Sequence, residues 1–389
     1  TNDNFLELIY MEVYLDNSAT TKPYDEVVKT VADVMTNLYG NPSSLHRLGK
    51  SAEDALNSAR ETVAKTLSCR EKELFFTSGG TEGDNLAIIG YAMANRRAGN
   101  RIVTQKTEHM AVLEAFKFLE TQGFEVCCAD VGADGKVSAD ELEKYIDDKT
   151  ILLSIMHANN ETGAVMPIDK ISALAKHRGC ALHVDAVQTY GKLDINVKNF
   201  GADMLTVSSH KIHGPNGVGA LYVKDGIKIN PLMLGGKQER GMRSGTENLA
   251  GICGFAKAAQ IAFENREENA LKIARLKERL KSGILGGIED AHLNSPEDSL
   301  CAILNISFPG VKSEVLLHVL ESNGIYVSTG SACKSKKKLS YVLGAMGLSE
   351  KITDGSVRFS LSEFNTEEEI DYTVGVLKRE VPILRKIMR

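Results

Sequence analysis

Between Glu73 and Val223, short apolar runs alternate with stretches whose apolar positions recur every three or four residues. The runs "ELFFTS" (73–78), "RIVTQ" (101–105), "FEVCCADV" (124–131), "ILLSIMHA" (151–158), "ALHVDAV" (181–187), "MLTVSS" (204–209) and "GALYV" (219–223) have strand length. "NLAIIGYAMANRRAG" (85–99) and "HMAVLEAFKFLETQG" (109–123) carry helical spacing, and the alternation predicts an α/β domain with a mostly parallel sheet covered on both faces. From Asn248 to Leu285 the chain is helix-forming almost throughout, with Leu271, Ala274 and Leu276 at helical spacing, and reads as a connector. Strand candidates "CAILNISF" (301–308), "IYVSTG" (325–330) and "SVRFSLS" (356–362) follow. A closing amphipathic helix over 366–388 completes a smaller α+β domain. There is no internal repeat and no low-complexity tract.

A chain of 389 residues, 43% hydrophobic and 25% charged, can bury one large core and a second, smaller one. Its net charge of −5 provides no cationic field for a nucleic-acid backbone or an anionic membrane. No run reaches the ~18 apolar residues of a bilayer crossing, and the N-terminal stretch lacks a signal-peptide core, so a cytoplasmic protein is expected. The ten residues before Met11 read as an added leader. Seven cysteines, at 69, 127, 128, 180, 253, 301 and 333, contain no CxxC pair and no zinc spacing, which predicts neither a disulfide frame nor a metal. Most stand in apolar surroundings and read as small buried residues; Cys333 is the exception.

Candidate chemistry collects at the ends of the apolar runs. In "LFFTSGGTEGDNLAIIG" (74–90) a strand empties into a glycine-rich loop, with Thr81 placed to cap the next helix. Unsatisfied N–H groups at a helix start make an anion seat, although an ordinary tight turn explains this loop equally well. Asp185 stands near the C-terminal end of its strand, the edge at which open α/β sheets bind ligands. Gln188 would face the opposite way in an extended strand, so the two converge only if the backbone turns after Asp185. Lys211, in "SSHKIHGPNGVG", reads by itself as a solvated turn lysine. Beside a phosphate seat, an acid, Ser208 and His210, it becomes an amine able to condense with an aldehyde. Those are the parts a pyridoxal phosphate enzyme requires.

Ten segments extend the pattern: "YLDNSATTKP", "GNPSSLHRLGKSA", "FFTSGGTEGDN", "TEHMAVLEA", "MHANNETGAVMPI", "HVDAVQTYGK", "SSHKIHGPNGVGALYV", "RGMRSGTEN", "STGSAC" and "VRFSLS". In this order they resemble the motifs of cysteine desulfurases of the NifS/IscS type, from about residue 14 to the C-terminus. The resemblance implies the fold type I architecture of pyridoxal 5'-phosphate enzymes, with a large domain over 17–258 and a small one formed by 11–16 and 259–389. It implies that Lys211 tethers the cofactor and moves protons at the substrate Cα, that Asp185 keeps the ring nitrogen protonated, and that Gln188 bonds the ring hydroxyl. Asn160 would face the same edge of the cofactor and help bind substrate. His109 would stack on the ring and transfer protons. Gly80, Thr81, Ser208 and His210 match phosphate positions, and Thr246 matches one that reaches the phosphate held by a partner subunit, which implies a homodimer.

Arg358 would clamp the substrate carboxylate. Cys333 would take the sulfur of L-cysteine as a persulfide, releasing L-alanine, and pass it to a protein acceptor in iron–sulfur cluster assembly or tRNA thiolation. Gly330, Ser331 and Ala332 give its loop freedom, and Lys334, Lys336, Lys337 and Lys338 favour its thiolate. "STGSAC" resembles the branch with a long cysteine loop, whereas "KSKKKLSYV" departs from the family's usual continuation, and a solvated lysine turn explains that stretch as well. Two other readings stay open: an aminotransferase or lyase in which Cys333 is incidental, and a scaffold that has lost catalysis. Retention of Lys211, Asp185, His109 and Arg358 together argues against the scaffold.

Overall fold

A computed structural model of the chain describes residues 11–329 and 339–388. The chain divides into two compact units, Thr20–Asn160 with Ala164–Glu268, and Thr1–Ala19 with Glu161–Gly163 and Asn269–Arg389. The expected bounds at 17 and 258 therefore move to 20 and 268. The helix Leu249–Glu264 accounts for the second shift, because Ala258, Ala259 and Ala262 sit in the core of the larger unit with Phe263 packed against it, and Arg266 then pairs with Asp194 of the same unit at 2.8 Å.

In the larger unit the apolar runs form β1 (Leu74–Thr77), β2 (Arg101–Gln105), β3 (Glu125–Ala129), β4 (Thr150–Met156), β5 (Ala181–Asp185), β6 (Met204–Ser208) and β7 (Gly219–Val223). They make one sheet in the order β1-β7-β6-β5-β4-β2-β3, in which only β7 runs antiparallel to its neighbours. Every residue of β4, β5, β6 and β7 is buried, as a sheet covered on both faces requires. Helices α1 (Asp25–Asn37), α2 (Arg47–Thr66), α3 (Gly80–Asn85), α4 (Met110–Thr121), α5 (Ile168–Arg178) and α6 (Leu249–Glu264) accompany it. Alternation splits the strands between two cores. Val103, Leu153, Leu182 and Leu205 join one, with Leu56 and Phe255, while Ile102, Leu152, Ala181 and Met204 join the other, with Phe116 and Ile88.

The helix expected from Asn85 begins earlier, at Gly80, and continues through a π turn (Leu86–Gly90) into a last α run (Tyr91–Asn95). Gly79 makes the early start possible: its φ of 148° and ψ of −173° turn the strand straight into the helix, a conformation open to glycine. The long helical stretch after Asn248 is broken at Asn265, which separates α6 from α7 (Arg266–Leu285). The buried stripe of α7 is Ile273, Leu276, Leu280 and Ile284, whereas Leu271, expected in it, is 68% exposed.

In the smaller unit β8 (His292–Leu293), β9 (Ile303–Ser307) and β10 (Ser356–Ser360) form an antiparallel sheet in the order β10-β9-β8. Val13–Tyr14 pairs in parallel with Ile325–Tyr326. Helices α8 (Ser313–Ser322), α9 (Tyr341–Ala345) and α10 (Glu367–Ile387) join α7, and Thr366 and Glu369 close a capping box at the start of α10. Directly paired residues of β9 and β10 share a face, so Leu304, Ile306, Val357 and Phe359 are apolar on one side. Asn305, Ser307, Ser356 and Arg358 point to the other, and all four are buried.

Candidate active site

In the larger unit the candidate groups gather at the carboxyl edge of the sheet. At the exit of β1, Gly79 and Gly80 make a corner against β6 and the turn after β5. A Cβ on Gly80 would stand 2.8 Å from Val187 Cγ2, and one on Gly79 would stand 3.8 Å from Ser208 Oγ. The Ser208 hydroxyl is buried and has no hydrogen-bond partner among the described residues. An orphaned donor beside a small-residue corner and free helix N–H groups fits a phosphate oxygen. Thr81 does not cap the helix as expected: Gly79 holds the cap position without a side chain, and Thr81 is already inside α3 and exposed.

Asp185 ends β5, and its Oδ1 accepts the Val187 N–H at 2.9 Å, so the backbone turns there as the convergence of Asp185 and Gln188 requires. Gln188 is buried in that turn. Burial raises the Asp185 pKa, while His109, the Val187 N–H and Lys211 work against the rise. The three groups, separated in the sequence, are therefore electrostatic neighbours. His109 caps α4, its Nδ1 accepting from Ala111 N–H at 3.2 Å, and its ring is exposed. The polar-cap role of a helix-opening histidine and proximity to Asp185 are thus both realised.

After β6 a single 3-10 turn, Ser209–Lys211, presents the half-buried lysine before the chain reverses into β7. The reversal is tight: a Cβ on Gly214 would fall 2.0 Å from Ser209 Oγ. Thr21 clasps the turn, its hydroxyl donating to the His210 carbonyl at 2.9 Å and accepting from His213 N–H at 2.7 Å. Lys192 donates to the Lys211 carbonyl at 2.9 Å. His210 shares a 3.2 Å hydrogen bond with Thr20, and burial, then Lys211 and Lys192, push its pKa down to about 4. It is a neutral imidazole at physiological pH.

Beyond β4 the Asn159 amide donates to the Thr107 carbonyl at 2.9 Å, which joins the "NNETG" segment holding half-buried Asn160 to the turn before His109. Thr246 is exposed, in a segment whose Ser244 N–H donates to the Met233 carbonyl. In the smaller unit Arg358 is buried on β10 and pairs with Asp16 at 2.7 Å. Cys333 and the lysines beside it lie outside the described residues. No disulfide joins the described cysteines, and only Cys180 among them is fully buried, a correction to the expectation. Burial still pushes the thiols of Cys69, Cys180 and Cys253 up to about 12, 11 and 11. Such thiols stay protonated at neutral pH and are poor nucleophiles. No group of metal-ligating side chains occurs among the described residues.

The class-V aminotransferase family matches residues 13–373. A cysteine desulfurase IscS from Clostridium botulinum is 46% identical over 380 residues, 97% of this chain and 96% of that protein. The chain belongs to the cysteine desulfurases of the class-V aminotransferase family. Among solved structures, a NifS-like protein superimposes with a TM-score of 0.91 at 40% identity, covering 96% of this chain and all of the other. SspA, solved in complex with cysteine, gives 0.82 at 33% identity over 92% of this chain and all of the other.

Desulfurases of this family use pyridoxal 5'-phosphate, and the carboxyl-edge groups fit it: an aldehyde-binding amine, a buried acid for a cationic ring nitrogen, and an orphaned hydroxyl at a glycine corner. Sequence reasoning missed Thr20, Thr21 and Lys192, which shape the Lys211 turn, although "SATTKP" and "YGK" were visible as motif segments. It also missed Glu108, whose carboxylate accepts from Gln105 and from Met156 N–H, each at 2.7 Å. That buried brace ties the His109 turn to the end of β4.

Proposed function

We propose that this desulfurase binds pyridoxal 5'-phosphate at the carboxyl edge of its large sheet and converts L-cysteine to L-alanine, with the sulfur passing to Cys333 as a persulfide. The observation that carries the reading is the buried Asp185 carboxyl at the end of β5, turned by its Val187 N–H bond and close enough to His109 and Lys211 to interact with both. The bound cofactor supplies an electron-withdrawing ring that takes up the pair left at the substrate Cα. Asp185 holds the ring nitrogen's proton, since a nearby carboxylate favours the cationic form. Gln188 and Asn160 would bond the ring's oxygen edge, and His109 would stack on the ring. Gly80, Thr81, Ser208 and neutral His210 bind the phosphate through donors.

Lys211 anchors the aldehyde carbon and then moves the Cα proton. Arg358 and Asn160 hold the substrate carboxylate. The Cys333 thiolate forms the new S–S bond as the Cβ–S bond breaks, and the electron pair ends in a new Cβ–H bond of alanine. The relative solved with cysteine supports this substrate. Exposed Thr246, beside Leu232, Met233 and the 83%-exposed Leu234, supports a homodimer in which Thr246 completes the neighbouring subunit's phosphate site. No helix among the described residues is long and apolar enough to cross a membrane, and the reading places the enzyme in the cytoplasm. Its sulfur then goes to a protein acceptor of iron–sulfur cluster assembly or tRNA thiolation.

Mass spectrometry tests the reading. After L-cysteine treatment the peptide bearing Cys333 becomes about 32 Da heavier, and alanine appears. Lys211→Ala forms no alanine, and Cys333→Ala keeps its cofactor without releasing sulfide under reductant. A cofactor-loaded wild type with no adduct on Cys333 overturns the assignment.

A further inference from the structure

The "NNETG" segment contains a carboxylate with no part in the reaction as described above. A tight hairpin, closed by the Asn159 N–H to Ala164 carbonyl bond at 2.9 Å, has Glu161–Gly163 as its tip, and this tip is part of the smaller unit. The Gly163 carbonyl accepts from Leu300 N–H at 2.8 Å. The Glu161 carbonyl accepts from Asn305 Nδ2 at 3.1 Å. Asn305 can donate there because its Oδ1 already receives Asn294 Nδ2 at 2.8 Å and Ser356 Oγ at 2.9 Å, which orients the amide. The polar face of the small sheet, the face that carries Arg358, thus grips the backbone of Glu161.

The Glu161 side chain reaches in another direction. It is buried, and its Oε2 accepts from Ser340 Oγ at 2.5 Å. Ser340 is buried too, and the same hydroxyl accepts from Leu343 N–H at 3.1 Å, capping α9. Burial raises the Glu161 pKa, and the Ser340 bond and the Arg358 charge work against that rise. A carboxylate is costly to bury without a structural return. Ser340 lies seven positions beyond Cys333.

We propose that Glu161 is a positioning residue for sulfur transfer: it anchors Ser340, and so the C-terminal end of the segment bearing Cys333, to the sheet face that carries Arg358. The proposal rests on the reading of Cys333 as sulfur acceptor. Its consequence is selective. The Glu161–Ser340 bond involves no group assigned to the cofactor, so its loss should spare cofactor loading and slow the arrival of sulfur on Cys333 more than it weakens substrate binding.

Single-turnover measurement separates these steps. Glu161→Ala is expected to keep wild-type cofactor content and a cysteine KM within about threefold, while persulfide formation on Cys333 slows by tenfold or more, on the order of the penalty for a displaced reacting group. Glu161→Gln, which keeps an acceptor for the Ser340 hydroxyl, stays within about threefold of wild type. Ser340→Ala slows the same step, Ser340→Thr restores it, and the Glu161→Ala/Ser340→Ala double variant is no slower than the slower single one. Persulfide formation within threefold of wild type in Glu161→Ala overturns the anchor, as does a loss shared equally by cofactor content or KM, or additive losses in the double variant. If Glu161→Ala does not fold, an unslowed Ser340→Ala overturns it alone. A wild type that forms no Cys333 adduct instead overturns the assignment of Cys333.

Discussion

Three carboxyl groups lie buried beneath the candidate cofactor site, and their surroundings do not favour a charge equally. Burial and then the neighbouring Asp185 charge drive the Asp84 pKa well up, and burial raises that of Glu108 to about 8. His183, 3.6 Å from Asp84, gives no counter-charge, because burial lowers its own pKa to about 3. Burial raises the Asp185 pKa as well, but there His109, the Val187 N–H and Lys211 work against the rise. Burial favours the protonated form at Asp84 and Glu108, and Asp185 is the member of the three best placed to carry a charge. It follows that Asp84→Asn, which mimics the protonated form, leaves alanine formation within about threefold of wild type, whereas Asp185→Asn costs on the order of a hundredfold. Steady-state rates at pH 7.5, normalised to bound cofactor, decide it; equal losses in the two variants would mean that the charge sits elsewhere. Asp185 and Lys211 were legible because strand ends announce them. Thr21 and Glu108 were not, since the partners that define them are a folded-state matter: Thr21 meets His210 across 189 positions of sequence.

Elements were legible where periodicity alone decides them. The strand candidates that became β1 to β7 lie where the apolar runs placed them, because buried strands must be apolar on both faces. The errors fall where a local break or a partner's geometry intervenes. Gly79 starts α3 early, Asn265 divides one helical stretch into two, and the buried stripe of α7 is set by what packs on it, which leaves Leu271 outside. The same helix buries Lys277, whose Nζ donates to Ser299 Oγ at 2.7 Å and the Leu300 carbonyl at 3.0 Å. Burial is the main cause that brings its pKa down to about 8. Between that value and the ordinary lysine value near ~10.4 the unfolded chain binds more protons than the folded one, so this residue makes stability rise with pH across the interval. Against Lys277→Gln, the wild type should gain about 1–3 kcal/mol between pH 7.5 and 10.5. Denaturant melts of both proteins at the two pH values check it, and an unchanged difference would show that the ammonium is not desolvated.

At the scale of the whole molecule, composition allowed for a large core and a smaller one, and the motif order foretold the family. The unit bounds were less legible, because the helical pattern runs on past Asn265 and does not show that Ala258, Ala259 and Ala262 pack into the larger unit's core. The proposed association of subunits is the level at which Thr246 would acquire a function. Thr246 is exposed in a segment hydrogen-bonded to the Leu232–Leu234 stretch, whereas Ser208, at the same proposed phosphate, is buried. Exposed apolar side chains also occur at Tyr39, Leu45 and Leu48 of the larger unit, as expected of a surface that a second copy covers. If each site takes Lys211 from one subunit and Thr246 from the other, the two defects complement. A mixed dimer of Lys211→Ala and Thr246→Ala subunits has one site with both lesions and one with neither. Random pairing makes half of all dimers mixed, so co-expression should restore about a quarter of wild-type activity per subunit. Sites completed within one chain would give no more than the mean of the two parent variants, and that outcome would remove Thr246 from the neighbouring site.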